Sequence, residues 1–148
     1  NISEGRGTTK PFEYFGAPLL NGDSVLEELK ELAGCKLRPI YFKPLWNKYK
    51  GEVCYGFQLH ITDRKRFKPV RTALEIIRAV RKIHPQTFIW TKPPYEFEEE
   101  KFPFDILIGN SSVRKMLEDE TPFAEIKAVC NKGLDEFMGV RKKYLVYE

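Results

Sequence analysis

No stretch of this sequence has an apolar run long enough to cross a bilayer, so no membrane-spanning helix is expected. Cysteine is scarce. Cys35, Cys54 and Cys130 lie far apart and form no CxxC pair, which argues against a zinc site. Their odd number argues against a full disulfide framework. Three part-buried thiols, or one disulfide with a free thiol, both remain open, and so does the compartment. Histidine occurs only as His60 and His84. There is no GxxxxGK[ST] phosphate loop, no GxGxxG fingerprint, no HExxH and no Ser-His-Asp or Cys-His spacing. Neither a metal nor an organic cofactor is suggested. Strong charge of one sign is lacking too. The 25 Lys and Arg face 21 Asp and Glu, a net charge of +4. The basic residues mix with Glu along the expected helices instead of forming a stripe, which makes nucleic acid a weak choice of partner. Internal repeats and low-complexity tracts are absent.

What is present describes a folded chain. Of its 148 residues, 42% are apolar and 14% aromatic, too greasy for disorder and long enough for one domain with a proper core. "TTKPFEYFGAP" reads as one or two helical turns, with Thr9 as cap, Pro11 early and Gly16 and Pro18 as stops. "NGDSVLEELKELAG" reads as a helix capped by Asp23 or Ser24 and ended by Gly34. "LRPIYFKPLW" is extended, and Pro39 and Pro44 push it toward a sheet edge. "VCYGFQLHITD" alternates cleanly. Val53, Tyr55, Phe57, Leu59 and Ile61 share one face; Cys54, Gly56, Gln58, His60 and Thr62 share the other. The two segments suit an antiparallel hairpin. "FKPVRTALEIIRAVRKIHP" is an amphipathic helix with Val70, Ala73, Leu74, Ile77, Val80 and Ile83 inward. "TFIW" reads as a short strand. "FDILIG" and "SSVRKMLED" read as short helices, the second capped by Ser111 or Ser112. One last helix is expected from Thr121–Pro122 to about Met138, then a terminal strand or tail at "YLVYE". The expected class is α+β: a small, mostly antiparallel sheet with helices packed on one face.

Three places could carry chemistry. In "SEGRGTT", Gly5 and Gly7 remove the Cβ on both sides of Arg6, so the backbone can take φ > 0 and approach a ligand or another chain segment closely. Arg6 then offers a planar fork to a carboxylate or phosphate, or else ties down a helix end or acidic side chain. Glu4 and Thr8 stand in the same loop. The second place is the polar strand face with Gln58 and His60. It either meets a cleft, where His60 could donate a hydrogen bond or move a proton, or is an ordinary solvated face. His84, before Pro85, reads as a helix C-cap. The third is "PPYEFEEEKFPFD", where Glu96, Glu98 and Glu100 would share a side. Paired carboxylates suit glycoside chemistry, but a run of acids beside Lys101 is ordinarily a solvated loop.

The segments "NISEGRGTTKPFEYFGAP", "RPIYFKPLWNKYKGEVCYGFQLHITD", "FKPVRTALEIIRAV", "PPYEFE", "PFDILIGN" and "RKKYLVYE" resemble, in this order, the bacterial exo-β-N-acetylmuramidases. The resemblance covers nearly the whole chain. It implies that residues 1–148 form the C-terminal, auxiliary domain of a two-domain enzyme, with an upstream Rossmann-like catalytic domain lying outside this sequence. It also implies release of N-acetylmuramic acid from the non-reducing end of peptidoglycan fragments, in a cleft between the domains. The principal catalytic glutamate would come from the upstream domain, and the isolated domain would be inactive. Residues 1–9 would form the interdomain loop, which fits a chain that starts at Asn1 in dense motif-like sequence. On this basis Arg6, Gly5, Gly7, Thr8, Gln58 and His60 are the expected substrate contacts, with Glu4 the lesser catalytic candidate. The partners are then the sugar and the upstream domain, in an exported, periplasmic or cytoplasmic bacterial setting. The alternative is a non-catalytic module that binds a carbohydrate or anionic ligand or serves an interaction.

Overall fold

The computed structural model describes residues 1–29 and 31–147. Lys30, within the second expected helix, and Glu148, at the end of the expected terminal strand, lie outside the described residues. The chain forms two compact units, Asn1–Lys92 and Pro93–Glu148.

The first unit contains β1 (Tyr14–Ala17), α1 (Gly22–Leu29), β2 (Cys35–Phe42), β3 (Cys54–Ile61) and α2 (Pro69–Ile83). The sheet order is β1-β3-β2, and both pairings are antiparallel. The β2–β3 hairpin forms as its alternation requires, with Leu37 opposite Leu59 and Pro39 opposite Phe57. β2 lies at the edge, where the missing N–H of Pro39 is tolerated. Phe57 is fully buried on the face that α1 and α2 cover. With Ala17, Leu20, Val25, Ala79 and Val80 it forms the core of this unit. Burying a side chain of this size contributes about 1.5–3 kcal/mol. The unit is thus α+β, an antiparallel sheet with helices on one face.

Four local expectations fail. The stretch expected as helical turns contains β1. Phe15 and Ala17 point at the core, while Gly16 lies opposite Gly56. A Cβ on Gly16 would stand 2.3 Å from the Tyr55 carbonyl oxygen, so this pairing is open only to glycine. Sheet pairing outweighs the local helix signals. α1 is capped by Asn21, whose Oδ1 accepts from the Ser24 N–H at 3.2 Å, and not by Asp23 or Ser24. In α2, Val70 and Ala73 are exposed; Thr72 and Ala79 are buried beside Leu74 and Val80. His84 caps α2 as expected, its N–H bonded to the Val80 carbonyl. Its Nε2 also accepts from the Asn21 N–H at 3.0 Å. "TFIW" forms no strand. It is instead clamped by Asn1, whose side-chain amide donates to the Thr87 carbonyl and accepts from the Ile89 N–H.

The second unit is helical: α3 (Pro103–Ile108), α4 (Ser111–Glu118), α5 (Phe123–Asn131) and α6 (Leu134–Arg141), then a single 3-10 turn at Lys142–Tyr144. α3 packs on α4, and α4 on α5. Asn110, not Ser111 or Ser112, caps α4 by accepting from the Ser112 N–H. The expected long last helix is broken at Gly133, which takes φ 77°. No strand forms at "YLVYE" among the described residues. Arg114 is nearly buried, bonded to Asp105 and Glu118 and stacked over the Phe102 ring. Those bonds hold its already high pKa higher still, and the cluster ties α3 to α4.

Candidate functional site

The loop of residues 4–13 is fastened at both ends. Before it, Ser3 extends the sheet by one antiparallel bridge to Gly16, with N–H to carbonyl distances of 2.8 and 3.0 Å. After it comes β1. Inside the loop the Phe12 N–H donates to the Glu4 carbonyl at 2.8 Å. The Thr8 hydroxyl donates to the Gly5 carbonyl at 2.6 Å and accepts from the Lys10 N–H, so Thr8 spends its bonds within the loop. Gly5 and Gly7 have φ of 74° and 80°. A Cβ on Gly5 would stand 2.7 Å from the Tyr14 carbonyl oxygen. On Gly7 it would stand 2.7 Å from both the Trp46 nitrogen and oxygen. The two glycines therefore seat the loop on β1 and on residues 45–46, where the Leu45 N–H bonds the Gly7 carbonyl.

This seating gathers charge. Arg6 Nε lies 2.9 Å from Glu4 Oε1, and Lys48 Nζ lies 2.7 Å from Glu4 Oε2. The guanidinium carbon of Arg6 lies 5.5 Å from the centroid of the Phe12 ring. Two cations against one carboxylate leave the group net positive. Arg6 side-chain exposure is 47% and its ion pair engages Nε. No other ion pair to Arg6 occurs among the described residues, so the half-exposed guanidinium keeps capacity for a second anion. Burial by itself would raise the Glu4 pKa. The Lys48 hydrogen bond, a backbone bond and the fields of Lys48 and Arg6 outweigh it and take the carboxyl below its usual value.

That shift has a testable sign. The folded pKa of Glu4 is depressed, so its stabilisation is complete above its unfolded value of 4.5. It fades as pH falls through that value and then the lower folded one. Glu4→Gln is expected to lower Tm by about 2–4 °C near neutral pH. The two proteins should converge once the pH falls below the lowered folded pKa. A gap of unchanged size in acid would contradict the ion-pair account.

Gln58 and His60 belong to another group. Gln58 is not on a solvated face; it is 7% exposed. Its Oε1 accepts from Arg38 Nη2 at 2.6 Å, and its Nε2 donates to Glu13 Oε2 at 3.1 Å. The hydrogen bond from Gln58, then that from Lys10, holds the Glu13 carboxyl below its usual pKa, and the field of His60 adds to them. His60 is exposed, two residues along the same strand face. No hydrogen bond or ion pair among the described residues joins this group to Glu4, Arg6 and Lys48.

Glu96, Glu98 and Glu100 do not line an extended side. Glu96 turns the chain with φ 53°, and the Glu98 carboxylate accepts from the N–H groups of Glu100 and Lys101. Those bonds lower the Glu98 pKa and make it a turn cap. All three cysteines are free, Cys35 and Cys54 buried and Cys130 exposed. A cleft of about 320 Å³ opens elsewhere in the first unit, lined by Ile2, Leu20, Tyr49, Val80, His84 and Phe88 among others. None of the expected site residues lines it. Lys48 and Phe12 went unnoticed in the sequence: "NKYKGE" reads only as a turn, and Phe12 as part of a helical stretch.

The fold and this loop define an α+β unit that presents a half-exposed arginine against a carboxylate and an aromatic ring, with a lysine on the same carboxylate. The family described as exo-β-N-acetylmuramidase NamZ, C-terminal, matches residues 1–147, and the chain belongs to it. The peptidoglycan β-N-acetylmuramidase NamZ of Bacillus subtilis (strain 168) is 40% identical over 149 residues, an alignment covering 99% of this chain and 34% of that protein. The chain thus spans about a third of the length of the curated relative it matches. In fold it is also similar to the crystal structure of a DUF1343 family protein from Bacteroides fragilis. The TM-score is 0.81 at 23% identity, over 99% of this chain and 38% of that one.

Proposed function

We propose that this chain is the C-terminal part of an exo-acting glycosidase that releases N-acetylmuramic acid from the non-reducing end of peptidoglycan fragments. In this reading it supplies substrate contacts, and an upstream domain of the same protein supplies the principal catalytic glutamate. The observation that carries the reading is the half-exposed guanidinium of Arg6, paired with Glu4 in a net positive cluster with Lys48. N-acetylmuramic acid differs from most sugars by its lactyl carboxylate, and an arginine fork suits that group. Glu4 fits poorly as a general acid. A carboxyl that must donate a proton near neutral pH needs a raised pKa, and this one is lowered. Its role is to aim Arg6. His60, the exposed member of the strand face, is proposed to line the sugar cleft, while Gln58 is held between Arg38 and Glu13 and supports that face.

The test is a chromogenic N-acetylmuramide offered to the full-length protein. Release of the chromophore and of free N-acetylmuramic acid is expected, and this chain expressed alone should release neither. Full-length protein that retains the muramide without cleaving it is the outcome of a binding module and would overturn the enzymatic reading.

A further inference from the structure

Phe12 is held in a conformation that its side chain disfavours. Its φ is 66°, in the left-handed region that bulky residues avoid. The core does not repay this, because the residue is 69% exposed. The Phe12 N–H is bonded to the Glu4 carbonyl, and the Arg6 guanidinium lies over one face of the ring. A strained, exposed aromatic ring against a half-exposed arginine is an arrangement for a ligand with both an apolar surface and an anionic group.

We infer that Phe12 is the platform on which the pyranose ring stacks while Arg6 holds the carboxylate of the same sugar. The inference rests on the muramidase reading above and adds a contact to it. The carboxylate of N-acetylmuramic acid hangs from its ring by a short ether arm. With Arg6 over one face of the Phe12 ring at 5.5 Å from its centroid, the sugar stacks on the other face and its arm carries the carboxylate past the ring edge to Arg6. The C–H face of the sugar and the lactyl methyl group supply the apolar surface.

Phe12→Gly tests this, because it separates function from stability. Glycine accepts the left-handed backbone, so the variant should melt no lower than wild type. In the full-length enzyme it should raise KM for the chromogenic muramide by about tenfold with kcat nearly unchanged. Phe12→Trp should keep KM close to the wild-type value. The loss should be equal for the muramide and for its lactyl methyl ester, since stacking does not need the charge. An unchanged KM in Phe12→Gly overturns the platform while leaving the muramidase reading intact. So does a fall in Tm, which would make Phe12 structural, and so does a loss confined to the free acid, which would make it only a support for Arg6. A wild-type enzyme that releases no muramic acid overturns both.

Discussion

On the proposed function, Arg6→Lys in the full-length protein is expected to lower kcat/KM for N-acetylmuramide substrates by about 10- to 100-fold. The charge is kept, so the loss measures geometry. Arginine contacts Glu4 through Nε, and its planar fork has further N–H donors for a second carboxylate. A lysine ammonium is one point that must choose between Glu4 and the substrate, and Lys48 already occupies the other oxygen of Glu4. The fold should not notice. The Arg6–Glu4 pair is half-exposed, and such pairs contribute at most about 1 kcal/mol. Steady-state kinetics beside a thermal melt would check both halves. Kinetics matching wild type would remove Arg6 from the site.

Gly56→Ala destroys the site from a distance, and it is the largest stability loss expected here. A Cβ on Gly56 would stand 2.0 Å from the Phe15 carbonyl oxygen and 2.7 Å from the Gly16 Cα. Both atoms are backbone, and β1 cannot yield without leaving β3. β1 anchors the loop that holds Glu4, Arg6 and Phe12, so the charge cluster leaves with it. The cost should exceed about 4 kcal/mol, a large part of the stability of an ordinary domain. The full-length protein should then lose the cooperative melting of this unit together with muramide turnover. Gly139→Ala is the control. Nothing lies within 4 Å of its Cβ position in α6, and the exchange should stabilise slightly. An unshifted melt in Gly56→Ala would mean that β1 does not pair with β3 as described.

The parts of this fold that were legible in the sequence are those whose pattern is local. β3 alternates strictly, and the prolines of the segment before it place that strand at an edge. The apolar period of α2 is equally plain, although its first turn bears Val70 outward. β1 was not legible. Thr9, Pro11 and Gly16 are genuine helix signals over a few residues, but Gly16 is there to meet Gly56, far along the chain. Gln58 misled for a similar reason. A polar side chain on a strand suggests water until its partners, Arg38 and Glu13, are found on the two flanking segments. In the candidate site, the glycines around Arg6 announced a close approach, and two backbone segments do press there. Lys48 could not be foreseen. Nothing in "NKYKGE" says that one of its lysines crosses to Glu4. Of the seven residues expected in the site, the structure gathers Glu4, Gly5, Arg6 and Gly7 around one charge cluster, uses Thr8 to stitch the loop, and places Gln58 and His60 in a separate group.

The central claim is that Arg6 reads the carboxylate of the sugar. The most direct measurement compares kcat/KM for a chromogenic N-acetylmuramide and its lactyl methyl ester, in the full-length wild type and in Arg6→Ala. The wild type should prefer the free acid by about 10- to 100-fold, and Arg6→Ala should cleave acid and ester about equally. A preference for the acid that survives the loss of Arg6 would contradict the account.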